Sequence, residues 1–490
     1  MTSLASRLVA SIAGLAMLVS CAATGPVDSP ATTPARQAQP LEGTPNVLFI
    51  AIDDLRPDIG VYGHPVAQTP HIDGFADSAL LFENAFVSQA VCGPSRAALM
   101  TGLRPDTTGI TTLNQPVSET VPEAVTMSQT FKAAGYESIG IGKIYHHADD
   151  DMEGWTDRPD DAIYEIRRAE RRAGLERNSH KQFDDIEDMP DTMNVRDAQE
   201  RMRRLGGTDD PFFMMVGIHR PHLPFNSTDE EWDALEGVAI PDPINPEGQQ
   251  GAPDWALVSY EVWNYDDTPE SAPMPTSKAD ELRRAYLASV AYADRLVGVL
   301  LQELEAQGLA DDTIVVLWSD HGFKIADHGH FAKHSTSEID IHVPMMIRVP
   351  GMAGNGERSD ALVETVDLYP TLAELAGLPA PSNLEGLSLV PLLADPDREW
   401  KQAAFSQYGR NMRGHGRGTG YTTRTQNFRY TAWKTDDDGR LVAEELYDLA
   451  NDPEESRNVA GDGAYRAQLE MHRALDASGW RGVRSAVSVN

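Results

Sequence analysis

Asn46-Val47-Leu48-Phe49-Ile50-Ala51-Ile52-Asp53-Asp54 is a continuous apolar run that stops at two carboxylates. A short run that is apolar at every position fits a strand buried on both faces of a parallel sheet. Thr313-Ile314-Val315-Val316-Leu317-Trp318 repeats the pattern and stops at Ser319-Asp320-His321-Gly322. Three more runs follow it: Ser138–Gly142 before Lys143, Phe212–Gly217 before His219, and Met345–Val349. Helical periods lie between them, over Ser95–Thr101, Ala124–Ala134 and Lys278–Gln307, the last stopped by Gly308. Strands alternating with helices predict an α/β domain with a mainly parallel central sheet flanked by helices. Ligand sites in such sheets form at the carboxyl ends of the strands. Four of the five runs end there in Asp, Lys or His.

Outward from these runs the chain changes character at both ends. Met1–Arg7 carries one positive charge and Leu8–Val19 is almost wholly apolar, the layout of a signal peptide over residues 1–20. Leu18-Val19-Ser20-Cys21 looks like a lipobox, which predicts lipidation of Cys21 and export to a bacterial cell envelope. Ala22 behind it favours an outer-membrane or periplasmic destination over the inner membrane. Residues 21–45, rich in Ala, Thr, Pro and Gln, read as a flexible tether. Residues 46–398 make the expected catalytic domain, within which the highly charged Asp149–Arg204 reads as a partly helical surface insertion. A composition break near Asp395–Lys401 opens a small C-terminal α+β subdomain, 399–490. Its expected parts are short strands, Gly-rich turns at Gly409–Gly420 and a helix over Gly463–Ala477. With 75 acidic against 41 basic residues, the net charge is −34. That excludes a generally basic nucleic-acid binder and electrostatic docking on anionic lipid, leaving the N-terminal lipid as the expected tie to a membrane.

Of the two cysteines, the lipobox takes Cys21 and leaves Cys92 without a partner in the chain. A lone cysteine is either an inert small hydrophobe or a site of special chemistry. Asp53-Asp54 and Asp320-His321 are pairs of metal-ligand type whose oxygens suit a hard divalent ion, Ca²⁺ before Mg²⁺. Aspartates also end strands simply because they begin turns.

Cys92-Gly93-Pro94-Ser95-Arg96, followed by Thr101-Gly102, resembles the C-x-P-S-R signature of the type I sulfatases. The resemblance extends over nearly the whole of the chain past residue 45. It takes in Gly142-Lys143 with His146, the run His219-Arg220-Pro221-His222-Leu223-Pro224-Phe225, and Phe331-Ala332-Lys333. Leu55-Arg56-Pro57-Asp58, Arg104–Thr108 and Tyr421–Thr425 are similar to the iduronate-2-sulfatase-like subgroup. The resemblance implies an alkaline-phosphatase-like fold and hydrolysis of a sulfate ester. It also implies oxidation of Cys92 to formylglycine by a separate maturation enzyme. A hydrated aldehyde has one hydroxyl to attack sulfur and a second whose proton loss expels sulfate, where a serine would be left as a stable ester.

Carried over residue by residue, Asp53, Asp54, Asp320 and His321 hold Ca²⁺ together with the modified Cys92. Arg96 braces the nucleophile. Lys143 and Lys333 neutralise sulfate oxygens, where charge must be held in the transition state. His222 protonates the leaving sugar oxygen, and His146 takes the proton whose loss releases sulfate. His219 reads as structural, while His330, His334 and His342 are candidates for the surroundings of the site. The charged stretch Ala148–Arg204 and the loop Asp242–Pro275 would rim the strand ends and select the sugar. The expected substrate is a sulfated saccharide containing uronic acid, such as a piece of ulvan or a glycosaminoglycan, attacked from its end. Three readings compete: a phosphate or phosphonate ester hydrolase on the same scaffold, a non-catalytic glycan-binding lipoprotein, and an enzyme using Cys92 as a thiol nucleophile.

Overall fold

The structure is a computed structural model that describes residues 43–146, 150–259 and 261–487. The expected signal peptide, Cys21 and almost all of the tether lie outside the described residues. The large sheet is built from β1 (Asn46–Ile52), β2 (Leu80–Phe86), β3 (Glu137–Gly142), β4 (Phe212–Ile218), β5 (Thr313–Ser319), β6 (Met345–Arg348) and β7 (Arg358–Glu364). Their order is β7-β2-β6-β5-β1-β4-β3. Every pairing is parallel except those of β6, which runs antiparallel to both β2 and β5. This explains why the Met345–Val349 run ends in no ligand: its carboxyl end lies at the opposite edge of the sheet from the other four.

β1 shows why the run is apolar throughout. Leu48, Ile50 and Ile52 enter one core while Val47, Phe49 and Ala51 enter the other, as the two-residue period of a strand requires. Both faces are therefore covered. The first core is closed by helices α4 (Pro190–Leu205) and α5 (Thr276–Ala306), the second by α1 (Cys92–Thr101), α2 (Met127–Ala133) and α6 (Leu368–Leu375). A further helix, α3 (Ala162–Ala173), packs on α4.

Two expectations need correction here. The Asp149–Arg204 stretch is no surface insertion, because α4 buries Val195, Ala198, Met202 and Leu205 beneath β3 and β4. That spacing is a helical stripe, but Arg, Asp and Glu on the outward face mask it. β2 and β7 are strands that the apolar-run criterion passes over. Glu83 and Asn84 interrupt β2, and β7, at the sheet edge, begins with the polar alternation of a half-covered strand.

The C-terminal part is a four-stranded antiparallel meander, β8 (Ala404–Met412), β9 (Gly416–Arg424), β10 (Phe428–Thr435) and β11 (Leu441–Asp448), crossed by helix α7 (Arg466–Ala486). Gly409–Gly420 thus forms two long strands and one tight turn, not a set of turns. Gly420, a strand residue paired with Trp433, is glycine because a Cβ there would sit 2.9 Å from the Trp433 ring. The final helix also runs past Ala477 to Ala486, broken at Gly479 by a left-handed φ of 63°. The described residues fall in one compact unit, and a buried ion cluster joins the two sheets. Arg104 grips Glu364 through both terminal nitrogens at 2.8 and 2.9 Å. Lys401 reaches Glu364 and Asp367, and the Phe405 amide donates to Glu364.

Candidate active site

The carboxyl ends of four large-sheet strands, β1, β3, β4 and β5, converge because their registers are flush: Ile52 lies beside both Ser319 and Ile218, and Gly142 beside Gly217. The residue after each end therefore meets its neighbours. β1 delivers Asp53 and Asp54, β5 delivers Asp320 and His321, and β3 delivers Lys143. β2 turns through Val87–Val91 into α1, whose first residue is Cys92.

Asp54 sits in the left-handed region at φ 63°. A non-glycine residue there is sparsely populated and persists only where its surroundings dictate it. Here the Asp54 amide donates to Asp320 Oδ1 at 3.2 Å and the Asp54 carbonyl accepts from Tyr286. Gly142 and Gly217 answer a second constraint. A Cβ on Gly217 would lie 2.0 Å from the Lys143 carbonyl oxygen, and one on Gly142 would lie 2.3 Å from the Gly217 oxygen. Two glycines let β3 and β4 close up and bring Lys143 into the centre.

Asp53, Asp54, Cys92 and His321 each offer a ligand atom within 4.8 Å of the other three. None is more than 2% exposed. Cys92 Sγ lies 3.5 Å from Asp53 Oδ1, 3.6 Å from Lys143 Nζ and 3.3 Å from His321 Nε2. Asp320, expected among the ligands, adjoins this group of four, with its Oδ2 3.6 Å from His321 Nε2. Its Oδ2 accepts from Arg96 Nε at 2.7 Å and its Oδ1 from the Asp54 amide. Arg96 is one helical turn past Cys92 on the same face of α1, and is wholly buried. It ties Asp320 to the carbonyls of Lys143 and Ile144, bracing the strand ends against one another.

Cations surround the carboxylates. Lys143 contacts Asp53, and Lys333 Nζ lies 3.0 and 3.1 Å from the two Asp54 oxygens. Burial raises the Asp53 carboxyl, but Lys143, His222 and Arg96 hold it well below the usual range. Burial and Asp53 push the Cys92 thiol up, yet Lys143, Lys333 and His321 together hold it well down. His222 donates from Nδ1 to the Leu223 carbonyl at 2.6 Å and points Nε2 at Glu261 Oε1, 3.2 Å away. Burial and Lys333 lower its pKa, but Asp54 and Asp53 prevail and raise it to about 9.

Glu261 is the site residue that sequence reading missed. It bridges His222 and Lys333, the latter at 3.2 Å, from a short 3₁₀ turn in the Asp242–Pro275 loop. One acidic residue in an irregular loop carries no spacing signal, so only the folded chain reveals it.

The other histidines divide clearly. His219 is buried and pairs with Asp161 at 2.7 Å, the structural role expected of it, while Asp191 caps its amide. Both aspartates come from the charged stretch. His342 donates to the Glu83 carbonyl on β2. His330 pairs with Ser259 of the loop, and His334 with Tyr408 of β8. His146 follows Lys143 on the same loop, and its carbonyl accepts from Tyr164.

The comparisons with known proteins agree with this arrangement. The sulfatase family profile matches residues 45–378, and that of the N-sulphoglucosamine sulphohydrolase C-terminal region matches 326–478. The chain is 31% identical to iduronate 2-sulfatase of Mus musculus, over 87% of this chain and 93% of that one. It is also 31% identical to a sulfatase of Formosa agariphila, over 91% and 88%. A protein solved with its substrate D-glucosamine-2-N,6-O-disulfate superposes with a TM-score of 0.74, at 24% identity over 89% of this chain and 97% of that one. The phosphonate monoester hydrolase of Agrobacterium radiobacter gives 0.72, also at 24% identity, over 89% and 95%. These two show the shared alkaline-phosphatase-like fold. The chain belongs to the sulfatase family, in its iduronate-2-sulfatase-like branch, and is a sulfuric ester hydrolase.

Proposed function

We propose that the chain is a carbohydrate sulfatase acting through a formylglycine made from Cys92. The observation that carries this is the position of Cys92, buried at the start of α1 among two carboxylates, an imidazole and two lysines. Hydrated formylglycine supplies one hydroxyl that attacks sulfur and a second that lets sulfate depart. The oxidation is left to a maturation enzyme. It lowers the intact mass by roughly 18 Da, so mass measurement on protein coexpressed with such an enzyme is the direct test. An unmodified thiol in active protein would overturn the reading. It would favour the thiol alternative, which the Cys92–His321 approach of 3.3 Å and the His321–Asp54 contact of 3.0 Å make specific.

The donor set fits a metal ion. Asp53 and Asp54 supply carboxylate oxygens and His321 an imidazole, with Cys92 as the fourth member, all shielded from solvent. Oxygen-rich ligation suits Ca²⁺ more than a softer ion. Such an ion, when bound, polarises the attacking hydroxyl. Asp320, beside His321 and bonded to Arg96 and the Asp54 amide, would complete the set as a further carboxylate ligand. Lys143 and Lys333, which face Asp53 and Asp54 here, would meet the sulfate oxygens once those carboxylates hold an ion. His222, oriented by the bond from its Nδ1 to the Leu223 carbonyl, would donate an Nε2 proton to the leaving oxygen. Glu261 must then yield Nε2, and it lies against the two cations that a sulfate would seek. His146 is assigned the proton whose loss frees sulfate.

Likeness to iduronate 2-sulfatases supports a uronic-acid-containing saccharide as substrate. A cavity of about 650 Å³ borders the Asp242–Pro275 loop and is lined by Asn245, Gln249, Asp254, His328 and His330. His330 is three residues from Lys333, so this polar cavity is placed to take the sugar that carries the sulfate, which we read as one at a chain end. Sulfate release from defined oligosaccharides tests the point. Release from chain interiors without preference for ends would overturn it. The phosphonate ester alternative is tested by comparing kcat/KM on aryl sulfate and aryl phosphonate esters. Lipid attachment at Cys21 and an envelope location belong to the same proposal, and fatty-acid labelling checks them.

A further inference from the structure

The C-terminal meander meets the sulfate-handling residues through its edge strand, β8. Tyr408, Arg410 and Met412 alternate along that strand and so share one face. Met412 packs with Ala256 of the Asp242–Pro275 loop and with Trp433. Tyr408 meets the His334 ring, its hydroxyl 2.9 Å from Nδ1. Between these two contacts Arg410 lays its guanidinium on the Tyr408 ring, 4.1 Å from the centroid. From there it donates through Nε to the Trp255 carbonyl at 2.9 Å, and through Nη2 to the carbonyls of Ala256 and His334.

These three carbonyls belong to two segments far apart in the chain. Trp255 and Ala256 lead to Glu261, and His334 directly follows Lys333. The side chains of the same two segments meet as the Glu261–Lys333 pair, 3.2 Å apart. One planar cation with fixed donor directions therefore joins, from behind, the two stretches whose charged groups close on the site. The backbone of His334 shows how firmly this corner is set. Its φ of 74° lies in the left-handed region, which a non-glycine residue holds only where its surroundings dictate it. Its amide donates to the Ala90 carbonyl at 3.2 Å, its carbonyl accepts from Arg410, and its ring pairs with Tyr408. Two of these three ties come from β8. Ser259 joins the loop to the same segment independently, accepting from the Phe331 amide at 2.8 Å, but it does so ahead of Lys333. Past Lys333, the loop and the segment are joined through Arg410.

We propose that Arg410 is a positioning residue for the sulfate site, which sets Lys333 directly through His334 and indirectly through the loop that carries Glu261. It acts without touching substrate, so the C-terminal subdomain takes part in the reaction by aiming a group of the large one. The inference rests on the reading of Lys333 as a sulfate partner, and the experiment separates the two. Arg410→Met keeps the bulk of the stem and removes the donors. Its kcat/KM on an aryl sulfate, per folded molecule, should fall roughly tenfold. In the double variant with Lys333→Met the loss should be no greater than in Lys333→Met alone, because nothing is left to position. Hydrogen exchange should quicken at amides 256–259 and 333–335, and stay as in the wild type along β9, within the meander. Multiplied losses in the double variant, unchanged exchange at both segments, or faster exchange along β9 as well would each overturn the proposal. Arg410→Lys keeps the charge but not the fork, and carries the same cycle should Arg410→Met fail to fold. Unimpaired turnover in Lys333→Met, with exchange still raised in Arg410→Met, would instead sink the sulfate role of Lys333 and leave the positioning standing.

Discussion

The Cys92 centre and the Glu364 joint are both buried clusters of opposite charges, yet they are completed in different ways. At the joint, every carboxylate is answered within the chain. Glu364 accepts from Arg104, Lys401 and the Phe405 amide, and Asp367 from Lys401 and the Glu364 and Leu387 amides. Such a network locks two sheets together. At the centre, Asp53, Asp54 and His321 crowd a thiol, and the lysines facing the carboxylates are the same groups a sulfate would need. A cluster satisfied internally holds a fold; one whose partners are shared with a substrate and an ion is built to exchange them.

The comparison breaks most sharply at the nucleophile. Cys92→Ala should abolish sulfate release, by roughly 10⁵-fold, with circular dichroism and melting unchanged, whereas no substitution at the joint should do this. Removal of the divalent ion by a chelator should cost activity on the order of 10³-fold, restored by adding Ca²⁺ back. Retained activity after verified metal loss would show that the carboxylates are paired for structure alone.

At the joint the effect should appear in stability instead. Burial raises the Glu364 carboxyl, but Arg104 and Lys401 outweigh it and hold it at about 2. A lowered folded-state value means stability that is fully present above the unfolded value and is lost as pH falls toward 2. Glu364→Gln should lose about 3 kcal/mol near neutral pH and flatten the acid limb of the unfolding curve. Turnover per folded molecule should not change. The smallest effect belongs to Glu261, which touches both groups of residues that handle substrate but is itself only a bridge. Glu261→Gln should lower kcat roughly tenfold while metal content and melting stay as in the wild type. A change in metal content would make it part of the ion's surroundings.

Legibility in the sequence follows the same division. The runs of β1, β3, β4 and β5 could be read because strands covered on both faces admit few polar residues, and each stops just short of a polar or charged one. β2 and β7 could not, because Glu83, Asn84 and the edge position of β7 break the run. α4 hid its apolar stripe behind charges that solvent tolerates on its outer face. Cys92, Arg96 and the Asp-Asp pair were legible because chemistry fixes their spacing locally: a nucleophile and its brace one helical turn apart, and two carboxylates at one strand end.

By itself, then, the sequence determined the layered α/β plan, the lone Cys92 in its C-x-P-S-R setting, and most of the charged groups that gather round it. Tertiary structure alone decided that Asp320 serves Arg96 and the Asp54 amide and that Glu261 closes on His222 and Lys333. It also decided that Asp161 and Asp191 hold His219 rather than the surface. The reason is physical. Local sequence sets periodicity, burial and spacing within an element, but partners from distant loops meet only when packing brings them within hydrogen-bond reach.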